Sequence, residues 1–219
     1  MTSVGTTSPD GGGGELGLSP ENLNRIAEAI AAAENTTAAE IRVVVSRAPI
    51  VQHPFYPLMW AGLAALVLPW GVLLFWSLSA LAILEVQAII FMVLAGVLLL
   101  PRFSDKVVPR LALKAAVRST AIEKFLSFGM VETAGRTGVL IFVAAHEHMV
   151  EVVADEGVHN RLGATAWAEI CSLIAREARH GHLADGLVVG VKRGGDMLSQ
   201  VLPRQPGDMN EIENRVIVL

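Results

Sequence analysis

The run LMWAGLAALVLPWGVLLFWSLSALAILEVQAIIFMVLAGVLLLP, from Leu58 to Pro101, governs how the rest of the chain is read. Its 44 residues contain no Lys or Arg and a single acid, Glu85. At about 1.5 Å per helical residue the run is about 66 Å long, roughly twice the 30 Å of a bilayer core, so two crossings fit and one does not. The pattern predicts a helix from Leu58 to Trp76, a tight turn over Ser77 to Ala80 and a second helix from Leu81 to Leu100, bracketed by Pro57 and Pro101. Pro69 falls inside the first crossing, where it kinks a helix unless a neighbour satisfies the freed carbonyl.

Outside this run the composition sets limits. Of 219 residues 53% are hydrophobic and 17% charged, which is too apolar for an ordinary soluble domain. A net charge of −4 carries no whole-chain signature of nucleic-acid binding, and the single cysteine, Cys171, excludes a disulfide framework and a cysteine-based zinc site. Basic residues flank the apolar run: Arg42 and Arg47 precede it, Arg102, Lys106, Arg110, Lys114 and Arg118 follow it, and the turn has none. That asymmetry predicts an integral inner-membrane protein with two crossings, its soluble domain and both termini in the cytoplasm. Residues 1 to 18 are polar and Gly-rich, which predicts a disordered tail and not a secretory signal.

Working outward, Ser19-Pro20-Glu21 has the chemistry of a helix start, and Leu23, Ile26, Ala27 and Ile30 supply an apolar stripe as far as Glu34. EIRVVVSR, from Glu40, alternates Ile41, Val43 and Val45 with Arg42, Val44 and Ser46 as a strand does. Beyond the apolar run, a basic helix reaches Met130. GVLIFVAA from Gly138 and MVEVVAD to Asp155 read as a hairpin, followed by helices over Ala164 to Arg179 and Leu183 to Leu202, and by a tail from Arg204 whose last residues, Arg215 to Leu219, suit an edge strand. Two crossings return the chain to the side it left. Residues 19–47 and 102–203 therefore make one α/β domain, a small mixed-sheet αβα sandwich interrupted after its first strand by a two-helix transmembrane hairpin.

The five basic residues Arg102, Lys106, Arg110, Lys114 and Arg118 recur at every fourth position, a slowly winding cationic stripe on a helix leaving the membrane. Two readings stand: contact with anionic lipid headgroups, at about 1 kcal/mol per charge, or a solvated face that sets topology only.

The opening helix leading to EIRVVVS, the pair GVLIFVAAHEHMVEVVADEG and the later GHLADGLVVGV together resemble the TPM-domain family over essentially the whole soluble part. The resemblance is to the subgroup with a membrane hairpin after the first strand and a tail like PRQPGDMNEIENRVIVL. The family includes thylakoid acid-phosphatase proteins, photosystem repair factors and accessory subunits of receptors. It implies an α/β sandwich with an acidic, often metal-binding site in loops beside the sheet. Related domains commonly have Gly-x-Glu after the second hairpin strand, an Asp shortly after, and Gly-Asp before the final helix. This chain has Gly157-Val158-His159, Ala164 and Gly181-His182 at those places, which puts a Ca²⁺ or Mg²⁺ site of the family type in doubt.

Imidazole with carboxylate suits Zn²⁺ or Mn²⁺, so Asp155, Glu156, His159, His182 and Asp185 form the candidate divalent-metal set, set against the plainer reading of polar surface residues. His146-Glu147-His148 lacks the helical spacing of a metalloprotease motif and reads as a hairpin turn. Glu85 is a carboxylate at the start of a membrane helix, which either snorkels to the interface or marks a contact with another membrane protein. Two functions follow. One is a non-catalytic, membrane-anchored module that binds or assembles a membrane protein complex; the other, implied by the resemblance, is a membrane-tethered metal-dependent phosphatase.

Overall fold

The computed structural model describes residues 17–51, 54–73, 79–133, 135–208 and 210–219. Most of the expected N-terminal tail and the end of the expected first crossing with its turn, 74–78, lie outside them. The chain divides into two compact units, one formed by residues through Ile50 and from Val117 to Leu219, the other by Val51–Ala116.

In the first unit, α1 (Pro20–Glu34) starts as its sequence dictates: the Ser19 hydroxyl accepts the Asn22 N–H at 3.2 Å, and Pro20 occupies the first turn. The strands are β1 (Glu40–Ser46), β2 (Gly138–Ala144), β3 (Met149–Ala154) and β4 (Val216–Val218), in the order β3-β2-β1-β4. β1 lies parallel to β2 and β4, whereas β2 and β3 form the expected antiparallel hairpin, so the sheet is mixed. A parallel pair needs a crossover connection, and here the crossover from β1 to β2 carries the whole inserted unit.

Alternation along β1 serves both faces. Ile41, Val43 and Val45 join one core with Ile26 and Ile30 of α1 and residues of α6 (Glu156–Arg179) and α7 (Leu183–Val201), including Ile170, Ile174 and Leu187. Val44 joins Leu140 and Phe142 of β2 and Val117, Ala121 and Phe125 of α5 (Arg110–Ser127) in a second core. Helices on both faces of a small mixed sheet make the α/β sandwich that the patterning predicts.

Two elements differ from expectation. The basic segment is not one helix: α4 (Pro101–Ser104) and a 3₁₀ turn (Asp105–Val107) precede α5, with Val108 extended at φ −75° and ψ 124°. Pro109 causes the break, because its ring disfavours the helical conformation of the preceding residue. Arg102 and Lys106 thus lie on different elements from Arg110, Lys114 and Arg118, and no single stripe runs through all five. In addition, α6 begins at Glu156, well before Ala164, with a break at Gly163, whose φ of 68° suits glycine. His159 is therefore helical and not in a loop.

In the second unit, α2 (Phe55–Leu73) and α3 (Ala80–Leu98) pack on each other; Ala61, Ala65 and Ala95 are buried, while Leu66, Leu81, Leu84, Ile89 and Met92 are exposed. The Ser79 hydroxyl caps α3 by accepting the Ala82 N–H, and the exposed Glu85 stands in the second turn. α3 is long and apolar enough to cross a membrane, with a mean hydropathy of 2.4; the apolar stretch of α2, Phe55–Gly71, is shorter. The Trp60 indole N–H donates to the Val107 carbonyl at 3.0 Å.

Candidate functional site

The residues assigned to a metal do not come together. Asp155 is 5% exposed and caps α6: its Oδ1 accepts the Glu156 N–H at 2.7 Å and the Arg136 guanidinium at 3.0 Å. Asp185 pairs with Arg25 of α1 at 2.9 Å, both side chains being half exposed. His182 is the N-cap residue of α7 without a side-chain cap, and Glu156, His159 and His182 are exposed. Among the described residues no three His, Cys, Asp or Glu side chains are grouped to hold a metal ion. The two aspartates have structural partners instead: a helix end and an arginine for Asp155, an arginine for Asp185.

Other residues singled out by the sequence are likewise built into the fold. Glu147 of the hairpin turn accepts the Ile50 N–H at 2.6 Å. Arg118 pairs with Glu151 of β3. Arg42 lies over the Phe128 ring at 5.5 Å, and burial holds its guanidinium below the usual arginine range.

A different cluster, absent from the sequence reading, gathers at the amino-terminal ends of β1 and β2. There the turn between α1 and β1 meets the C-terminal strap, residues 203–208 and 210–219, around a cavity of about 250 Å³ lined by Glu34, Glu40, Thr137, Arg204, Asp208 and Glu211 among others. Glu34, 5% exposed at the end of α1, accepts the Ile41 N–H on Oε1 at 2.7 Å, while its Oε2 is enclosed without a hydrogen-bond partner. Burial pushes its carboxyl up to about 7, with the Glu40 charge adding; the Ile41 amide, Asn214 and Arg204 act in the opposite direction. Glu40, 8% exposed, accepts the backbone N–H groups of Glu211 at 3.2 Å and Ile212 at 3.3 Å. Burial raises its carboxyl as well, against the pull of those two amides. Arg204 donates to the Glu34 carbonyl and Asn35 Oδ1, each at 3.1 Å, and to the Asp208 carbonyl at 3.0 Å. The Thr37 hydroxyl donates to the Leu202 carbonyl at 2.7 Å and that of Thr137 to the Ala38 carbonyl at 2.8 Å. This cluster fastens the strap to the sheet and keeps one carboxyl on the edge of ionisation at neutral pH. Its signal in the sequence is faint: two glutamates bracketing a short turn, the second opening a strand that is otherwise apolar on both faces.

No protein-family model and no curated protein matches the chain. Among solved structures, it is similar to the NMR structure of the BA42 protein from the psychrophilic bacterium Bizionia argentinensis, at a TM-score of 0.57 and 18% identity over 91% of this chain and 94% of that one. At this identity the likeness shows the fold, an α/β architecture, and nothing about activity.

Proposed function

We propose that the chain is a membrane-anchored α/β module that binds or helps to assemble a membrane protein complex. In this reading α2 and α3 form a two-crossing hairpin in the inner membrane, and the sandwich and both termini lie on the cytoplasmic side. The carrying observation is the surface of α3: only 6% of its most apolar stretch is buried, and large side chains such as Leu84, Ile89, Met92 and Val93 face outward. Such a surface is stable in hydrocarbon and costly in water. The arginine partners of Asp155 and Asp185 favour a binding role over metal-dependent hydrolysis, since a cation at either carboxylate would compete with an arginine already paired there.

The test begins with alkaline carbonate extraction of membranes containing the full chain, followed by native electrophoresis of the detergent-solubilised protein and a phosphomonoester assay with Mg²⁺, Mn²⁺, Ca²⁺ or Zn²⁺. Retention in the membrane pellet, migration in a complex with a second membrane protein and no metal-dependent phosphate release are expected. Release into the carbonate supernatant overturns the anchor. Phosphate release that copurifies with the chain overturns the binding reading in favour of a phosphatase.

A further inference from the structure

The strap is a return path. After α7 it runs back past the turn between α1 and β1, where Pro203 bridges to Thr37 and the Arg204 N–H donates to the Thr36 carbonyl. It then places Ile212 in the core between sheet and α5 and adds β4 to the outer edge of β1. At its end the Leu219 N–H donates to the Val45 carbonyl and the Leu219 carbonyl accepts the Arg47 N–H. Besides this short pairing and the Pro203 bridge, its hold on the turn comes from Arg204, from Asn214 against Glu34 and from the Glu40 carboxylate, which accepts two strap amides.

We propose that the strap is a proton-operated latch: it closes over the turn between α1 and β1 while Glu34 is uncharged, and loosens from Glu40 and from the edge of β1 when Glu34 ionises. Closure seals Glu34 Oε2 away from water with no close hydrogen-bond partner; the strap's Asn214 side chain interacts with the carboxyl but does not offset its burial. A buried carboxylate without compensation is costly, whereas the neutral acid is tolerated. The charged groups acting on Glu34 are Glu40 and Arg42 of β1 and Arg204 of the strap; Asp208 and Glu211 of the strap line the same cavity, and the segment before β2 contributes Gly135 and Thr137, which do not titrate. Arg204 does not neutralise the acid by direct pairing, because its hydrogen bonds go to backbone carbonyls and to Asn35. The cavity beside these groups gives water a place to enter as the strap lifts.

The sign follows from the two states. Closed, Glu34 titrates at about 7; open and hydrated, it returns to the ordinary carboxyl value of 4.5. The closed state binds more protons across that interval, so closure is strongest below 4.5 and weakens as pH rises toward 7.

Hydrogen exchange of the full chain in mild detergent, read by mass spectrometry and corrected for the intrinsic pH dependence of exchange, tests this. Protection of residues 211–219 is expected to fall about tenfold or more between pH 5 and pH 7.5 while that of β2 is unchanged. In Glu34→Gln the strap stays equally protected at both pH values. Glu40→Gln, which removes the facing charge, narrows the pH span of release and gives a second variant if Glu34→Gln does not fold. Strap protection that is flat with pH in the wild type, a pH dependence that persists in Glu34→Gln, an unchanged span in Glu40→Gln, or loss of β2 protection in parallel with the strap each overturns the latch.

Discussion

Gly195 of α7 lies so close to Ala33 of α1 that a methyl group added to Gly195 comes within 2.5 Å of the Ala33 Cβ and 3.1 Å of its Cα. The neighbour includes backbone and cannot swing aside. Alanine in place of helical glycine ordinarily gains about 1 kcal/mol, but forced overpacking costs about 1–3 kcal/mol. Gly195→Ala is expected to lower stability by up to about 2 kcal/mol on balance. Gly194→Ala, whose new methyl meets Ile170 at an ordinary 3.5 Å, is expected to be neutral or stabilising. Urea midpoints of the two variants measured side by side decide this, and equal midpoints contradict the α1–α7 contact.

Asp155 caps α6 and holds Arg136, both through Oδ1. Asp155→Ala removes the side-chain cap of α6 and is expected to cost about 1–2 kcal/mol, whereas Asp155→Asn keeps an acceptor oxygen for the Glu156 N–H and retains most of the stability. Elemental analysis of the purified wild type and the alanine variant is expected to give the same metal content. Stoichiometric metal in the wild type that disappears from the variant would return Asp155 to the ligand role.

Glu34 makes stability fall as pH rises. Its carboxyl is at about 7 in the folded chain against 4.5 for an ordinary glutamate, so the folded state holds the proton more tightly. The contribution is complete below 4.5 and is lost as pH climbs through 7; at about 1.4 kcal/mol per unit it amounts to about 3 kcal/mol at most. The difference in urea-derived stability between Glu34→Gln and the wild type isolates it from other titrating groups. That difference is expected to grow in favour of glutamine from pH 5 to pH 7 and then level off. A constant difference across this range contradicts a neutral Glu34.

Local signals account for what the sequence makes legible. Ser19-Pro20 marks a helix start whatever lies around it, and the alternating Ile41, Val43 and Val45 mark β1 because a strand packed between two helical layers needs apolar side chains on both faces. The fourfold spacing of Arg102 to Arg118 suggests one helix, but Pro109 inside that spacing outweighs it through backbone sterics. Asp155 followed by Glu156 carries two competing meanings, helix cap and metal ligand, and the pairing of Asp155 with Arg136 is not legible from the sequence. The carboxylate cluster is illegible for a different reason. Glu34 and Arg204 are 170 residues apart, and periodicity says nothing about which polar residues a returning tail brings together.

The orientation of the apolar unit yields a prediction that does not depend on the sandwich. Ser79 caps α3 at the end that, in a two-crossing hairpin with basic flanks inside, faces away from the cytoplasm. In a Cys171→Ser background, Ser79→Cys is expected to react with a membrane-impermeant maleimide applied to intact spheroplasts. Ser119→Cys, an exposed position on α5, is expected to react only after the membrane is opened. Opposite labelling of these two sites requires that α3 cross; the second crossing, by α2, is read from Ala48→Cys, an exposed position before α2, which is expected to behave like Ser119→Cys because an even insertion returns the chain to its starting side. Labelling of Ala48→Cys from outside together with Ser79→Cys leaves a single crossing by α3 and contradicts the hairpin, whereas equal labelling of Ser79→Cys and Ser119→Cys contradicts any crossing by α3.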